Sequence, residues 1–422
     1  MEEKVFPLLG ERLLKTKLAN GLEVCLIPRP GFTKKLAYFV TDFGAIHTEF
    51  TLDGVNHKVP AGIAHYLEHK LFDMPDRDVT AEFSALGAVP NAFTGFDLTA
   101  YYFSCTENFY ESLALLLEFV STPYFTEESV AKEQGIIGQE IDMNADNPDT
   151  RVFEQLMQSM YRCHPVQVPI LGDRASIAAI TPDTLHLCHR AFYHPSNMLL
   201  CVVGDVDPDK VCALAEELLP NTPAPQVTVR RTWAEEMTCP QADTQTQMEV
   251  AMPLFQLGFK CEDPGRGESA IRQEFIGDLA AEALFGESSE LYLQLYDQGL
   301  IDSSFGGGFE TVEGMAMLSA SGDSPDPAAV QAAILAQAEK LAREGIEPQD
   351  FLRMKRSTLG RRIRRLDSFD STAFSVCACH FSGFDFFRFP EVYHRIEKSD
   401  LQAFLQQTVV PSRMSLSVVN PL

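Results

Sequence analysis

The chain has 422 residues, 45% of them hydrophobic and 22% charged, with 34 basic against 59 acidic residues and a formal net charge of -25. A chain of this size buries enough apolar surface to fold without disulfides or a structural metal, so a metal held here would be a catalytic one. The acidic balance argues against nucleic acid and against an anionic membrane surface as partners, because both are gripped by clustered positive charge.

No run of about 18 apolar residues is available to span a bilayer. The N-terminus opens on Glu2 and Glu3 without the apolar stretch of a signal segment, and the ten cysteines include no CxxC pair. These features point to a reducing compartment, the cytoplasm. The one tight group, Cys377, Cys379 and His380, reads as packing residues of a helix, since neighbours two apart on a helix face different ways.

In chain order, LANGLEVCLIPRP reads as two strand runs around an Asn20-Gly21 turn, and LAYFVTDFGAIHTEF as a second strand region. Pro60-Ala61-Gly62 leads into a helix carrying AHYLEHKLF, and VTAEFSALGA is a helix closed by Gly87. NAFTGFDLTAYYFSC, rich in aromatics and threonine, predicts strands. NFYESLALLLEFV, the run from Thr126 through VAKEQGIIGQEIDMN, RVFEQLMQSMY and TPDTLHLCHRAFY predict helices. NMLLCVVGDVDP is an apolar strand.

The proline-rich, aperiodic stretch that follows predicts a linker at 226–244 between a domain over 1–225 and another over 245–422. The pattern then restarts. QMEVAMPLFQLGFK and GMAMLSASGD read as strands, SAIRQEFIGDLAAEALFG, PAAVQAAILAQAEKLAREG and PQDFLRMKRSTLGRRIRRLD as helices, and SDLQAFLQQTV with MSLSVVNP as a closing helix and strand. LCVVGDVDP ends one half as LSVVNP ends the other. The expectation is an α+β fold of two similar domains, each a mainly antiparallel sheet packed with helices.

The chemistry concentrates in His65-Tyr66-Leu67-Glu68-His69. Residues i and i+4 of a helix share a face, so the two imidazoles can hold one zinc ion. Glu68 reaches the same pocket without ligating and is placed to take a proton from a water activated by the ion. With 10 His and 59 acids in 422 residues, the expected chance count of this pattern is about 0.03. A catalytic zinc needs a third ligand and an open position. Glu133 and Glu140, two helical turns apart among Gly135, Ile136, Ile137, Gly138 and Ile141, share one helix face and stand as candidates.

The segments GIAHYLEHKLF, NAFTGFDLTAYYFSC, EQGIIGQEIDMNADNPDTRVFEQL and FYHPSNMLLCVVGDVDP resemble, in order, the insulinase/pitrilysin family of zinc metallopeptidases. The second half resembles it more thinly, through MPLFQLGFK, the ALFG-to-LYDQGL region and the last helices. The resemblance implies that His65, His69 and Glu140 are the metal ligands, Glu68 the general base and Glu133 a supporting acid. It implies that Asn91 and Ala92 lie on an edge strand that pairs with substrate backbone.

The length resembles the two-domain, bacterial processing-protease-like members, whose halves close around a chamber. It implies a dimer, with a second copy or with a related subunit, acting on short or unfolded peptides. Where many members carry an Arg and a Tyr in the second half, this chain has Tyr296 and Asp302. Those side chains would hold the substrate carbonyl and the developing oxyanion, so a related subunit is expected to supply them. Two rival expectations stand beside this one: a partner subunit without activity of its own, and a maturation protease for one peptide. The basic run from Arg353 to Arg365 reads as a helix face paired with nearby acids, or as a dock for an acidic partner.

Overall fold

A computed structural model describes residues 1–75 and 77–422. The first half runs β1 (Glu2–Phe6), β2 (Glu11–Lys17), β3 (Glu23–Pro28), β4 (Lys35–Thr41), β5 (Glu49–Leu52), β6 (Val55–Lys58), α1 (Ile63–Leu71), β7 (Asp73–Met74), β8 (Arg77–Asp78), α2 (Val79–Ala85), β9 (Val89–Thr94) and β10 (Thr99–Cys105). It continues through α3 (Phe109–Ser121), α4 (Glu127–Ala145), α5 (Pro148–Met160), α6 (Arg174–Ala178), α7 (Pro182–Phe192), β11 (Met198–Gly204), α8 (Pro208–Leu218) and β12 (Val227–Val229). The second half runs β13 (Asp243–Met248), β14 (Leu254–Cys261), α9 (Glu268–Phe285), α10 (Glu290–Asp297), β15 (Gly306–Val312), β16 (Met315–Asp323), α11 (Pro327–Glu344), α12 (Pro348–Arg364), α13 (Phe369–Ser382), α14 (Phe389–His394), α15 (Lys398–Thr408) and β17 (Met414–Pro421).

Two sheets carry the fold, as the α+β reading predicts. The first has seven strands in the order β1-β2-β3-β11-β4-β10-β9, and the second has five, β13-β17-β14-β16-β15. The last five strands of the first sheet and the five of the second have the same connectivity. In each, the late strand (β11 or β17) lies parallel to the first and antiparallel to the second. The duplication suggested by LCVVGDVDP and LSVVNP is therefore written into the hydrogen-bonded register. QMEVAMPLFQLGFK differs from its reading as one strand: it folds as β13 and β14, broken before Pro253. A proline offers no N–H to a ladder, and the two pieces pair with opposite sides of β17.

Alternation along the strands sends residues to two faces of the first sheet. Val24, Leu26, Phe39 and Phe103 face a core built with α1, α3 and α7. Cys25, Ile27, Tyr38 and Cys201 face a core that continues into the second half. That second face is covered by α13, which packs on β4 and β11. The exchange is reciprocal, for α5 of the first half packs on β14 and β17 of the second sheet. Gly258 of β14 lets α5 come this close, since a Cβ there would sit 2.5 Å from Met160 Sδ and 3.2 Å from Leu156.

A polar clasp joins the halves beside this core. Arg231 donates to Asp42 at 2.8 Å and to both oxygens of Glu313 at 2.6 and 2.5 Å. Arg266 reaches Glu313 at 3.2 Å, and buried His47 lies 3.6 Å from it. Elsewhere the basic face of α12 is largely tied down: Arg361 bonds Glu282, Arg362 bonds Glu274, and Lys355 donates to the carbonyls of His394 and Ile396. Gly306, Gly307 and Gly308 belong to β15, the edge strand of the second sheet, and Cys377 and Cys379 are buried in α13.

Candidate metal centre and active site

The centre starts with α1. Its start is set by Gly62, which holds φ +86°, and where a Cβ would lie 2.4 Å from the Leu171 carbonyl oxygen. Only glycine takes that conformation without strain and leaves the space. From there helical spacing separates two faces. Ile63, Tyr66, Leu67 and Leu71 go into the core, while His65, Glu68 and His69 share the other face. Helix α4 crosses beside it, opened by a Thr126–Ser129 capping box. Val130, Glu133, Ile137 and Gly138 are its buried residues. The two helices are stitched by Tyr66, whose hydroxyl donates to the Val130 carbonyl at 2.5 Å.

This crossing brings His65, His69 and Glu140 together, with one ligand atom from each lying within 4.8 Å of the others. The Nε2 atoms of His65 and His69 stand 3.7 and 3.6 Å from the two carboxylate oxygens of Glu140. Those gaps are too long for hydrogen bonds. They match the spacing of ligands around a tetrahedral ion with ~2 Å bonds, whose ligand atoms sit roughly 3.3 Å apart.

His65 Nδ1 is buried with no hydrogen-bond partner among the described residues, so the surrounding protein gives little reason for an imidazole here unless its Nε2 has a ligand. Burial, and then the neighbouring His69, pull His65 down to about 3, which keeps it neutral with its lone pair available. The donor set therefore fits zinc.

Glu133 is placed behind the candidate ligands. Its Oε1 lies 3.0 Å from His69 Nδ1, which fixes the ring and turns Nε2 toward the centre. Burial opposes an imidazolium at His69, but the bond to Glu133 and the charges of Glu68, Glu133 and Glu140 raise its pKa above the ordinary value. Glu68 is buried, and burial raises its carboxyl, with Glu140 adding to the rise and Thr94 and His69 opposing it. A carboxylate held above its usual range is suited to accepting and returning a proton near neutral pH.

Asn91 and Ala92 lie on β9, the outermost strand of the first sheet, paired through β10 with Tyr102 and Tyr101. Among the described residues no strand pairs with its far side. The Ala92 N–H is taken by the Asn91 side chain at 2.9 Å, not by a neighbouring strand. One contact escapes sequence reasoning: Thr94, at the end of β9, donates to Glu68 Oε2 at 2.7 Å. Its place in NAFT marks it as a strand residue, but no spacing rule links it to a glutamate 26 residues earlier. In the second half, Tyr296 lies in the last turn of α10, half-exposed and stacked on Tyr292 at 6.0 Å.

Known proteins share this chain's family and fold. The family model described as Insulinase (Peptidase family M16) matches residues 56–174, and the one described as Peptidase M16 inactive domain matches 179–358. An uncharacterized zinc protease, YmfH of Bacillus subtilis, is 38% identical over 98% of this chain and 97% of its own length. An uncharacterized zinc protease of Rickettsia felis is 31% identical over 48% of each chain. The crystal structure of a protein described as an M16-like peptidase from Alicyclobacillus acidocaldarius superposes with a TM-score of 0.94 at 33% identity, covering 98% of this chain and 99% of that one. Pitrilysin shares the fold, with a TM-score of 0.76 at 16% identity over 99% of this chain and 46% of its own. The chain belongs to the insulinase (M16) peptidase family.

Proposed function

We propose that this chain is a zinc metalloendopeptidase that hydrolyses short or unfolded peptides, with His65, His69 and Glu140 as ligands, Glu68 as general base, and Glu133 as the acid that orients His69. The observation that carries the reading is the convergence of two imidazoles and a carboxylate beside a buried glutamate with a raised pKa. Bound zinc would polarise the scissile carbonyl and make water a nucleophile near neutral pH. Glu68 takes the proton from the attacking water and returns it to the leaving amine. The open edge at Asn91 and Ala92 takes the substrate as an added strand, recognising main chain rather than sequence.

On this reading residues 1–225 form the catalytic domain, 226–244 a linker and 245–422 its duplicate, and two such chains close as a dimer around a chamber. A cytoplasmic site of action is supported by ten free cysteines. No helix among the described residues is long and apolar enough to cross a membrane. A second reading is favoured by Tyr296 and Asp302, which cannot act as the oxyanion-binding Arg and Tyr. The chain would then cleave only with a related subunit that brings those groups.

The test is metal content and peptide cleavage on the purified chain and on Glu68→Gln. Near one zinc per chain in both, with cleavage lost only in the variant, is the expected result. Zinc without cleavage in the natural sequence selects the second reading, and absence of zinc removes the metal assignment.

A further inference from the structure

We infer that Thr94 is a positioning residue that fixes the Glu68 carboxylate for proton transfer. The inference rests on the metallopeptidase reading above and names a part that reading leaves open: what holds the base still. Glu68 projects from α1 on a flexible side chain, of which the helix backbone restricts mainly χ1. Its side chain accepts a hydrogen bond from Thr94 Oγ1 at Oε2, at 2.7 Å.

That donor is itself well anchored. Threonine is stiff at χ1 because two heavy atoms branch at Cβ. Thr94 is the last residue of β9 and is paired in register with Thr99 of β10. Thr99 is buried and bonds the Phe43 carbonyl at 2.8 Å. The hydroxyl therefore reports the position of the sheet, not of a mobile loop. By occupying Oε2 it leaves Oε1 for the proton of the attacking water. Thr94 also stands two residues beyond Ala92 on the strand proposed to pair with substrate. One rigid element thus sets both the substrate backbone and the base.

The test uses Thr94→Val, which keeps the β-branched shape without the hydroxyl, and Thr94→Ser, which keeps the hydroxyl, in the full-length zinc-loaded protein. Among the described residues Thr94 bonds Glu68 and makes no hydrogen bond to His65, His69 or Glu140, so zinc content is expected to stay unchanged in both variants. Misplacing a reacting group by about 1 Å can cost ~100-fold. Thr94→Val is expected to lower kcat by roughly tenfold to a hundredfold with KM within about twofold, and Thr94→Ser to restore kcat to within about threefold.

Crystal structures of the same proteins give a second readout. Glu68 should hold one rotamer in the natural and Ser proteins and spread over more than one in Thr94→Val. An undisturbed kcat, or a Glu68 that keeps its single rotamer in Thr94→Val, overturns the inference. If the natural chain cleaves nothing alone, the self-sufficient peptidase reading fails, and the rotamer comparison still decides the role of Thr94.

Discussion

Replacing Glu313 by glutamine tests whether the clasp between the two halves is electrostatic. Burial alone would raise this carboxyl; His47, the bonds from Arg231 and the charges of Arg231 and Arg266 overcome it and bring it down to about 2, against an ordinary value of 4.5. Its side chain is only 12% exposed, so solvent screens these partners weakly. Each pKa unit between folded and unfolded states corresponds to about 1.4 kcal/mol, so the charge contributes on the order of 3 kcal/mol at neutral pH. The sign follows from the direction of the shift. A depressed carboxyl stabilises fully above its unfolded pKa and loses that contribution as pH falls toward its folded pKa. The stability difference between the natural chain and Glu313→Gln, measured by urea unfolding, should be level from pH 8 to about 5.5. It should shrink below about pH 4.5, with roughly half gone near pH 3.3. A difference below about 1 kcal/mol at pH 7, or one that does not shrink in acid, refutes the argument.

Two further outcomes concern the proposed metal centre. Glu133→Gln keeps the shape behind His69 but weakens the acceptor for its Nδ1–H, and zinc affinity is expected to fall roughly tenfold to a hundredfold with the fold intact, read by competition with a chelator. Gly62→Ala forces a side chain into a left-handed residue, at a cost of about 1–2 kcal/mol for the backbone alone. Contact with the Leu171 carbonyl adds to this, so both a lower melting temperature and reduced zinc occupancy are expected, and an unchanged melt would show that the α1 start yields more easily than its geometry implies.

The candidate trio of His65, His69 and Glu140 and the proposed base Glu68 were legible because helical spacing is short-range. His65, Glu68 and His69 fall on one face of any helix that contains them, and Glu133 and Glu140 likewise share a face of theirs. That the two faces meet depends on how α1 crosses α4, and the family resemblance supplied what spacing could not. Thr94 stayed hidden because a strand end and a helix face meet only through the sheet, and no period in the sequence encodes that distance. The exchange of α5 and α13 was invisible for a related reason. An amphipathic pattern says that a helix buries one face, and Leu156, Met157 and Met160 would satisfy it against either sheet. The break inside QMEVAMPLFQLGFK was signalled by Pro253, a residue whose missing N–H outweighs the strand propensity around it.

The duplication itself bears on why the polar face of α1 exists. Each half places a helix between its early strands and the hairpin that completes its sheet: α1 before β9 and β10, α9 before β15 and β16. In α9 the buried positions are uniformly apolar, Ile271, Phe275, Ile276, Leu279 and Leu284 among them. In α1 the same kind of helix buries His65 and Glu68, with one ring nitrogen unpartnered among the described residues and both side chains shifted toward their neutral forms. A buried polar atom left without a partner, as His65 Nδ1 is among the described residues, costs roughly 1–3 kcal/mol, and the second half shows that the architecture stands without one. The fold does not explain its presence, whereas a ligand between His65, His69 and Glu140 does. Stability given up in one copy of a duplicated unit and not in the other is what a functional site on a structural repeat should look like.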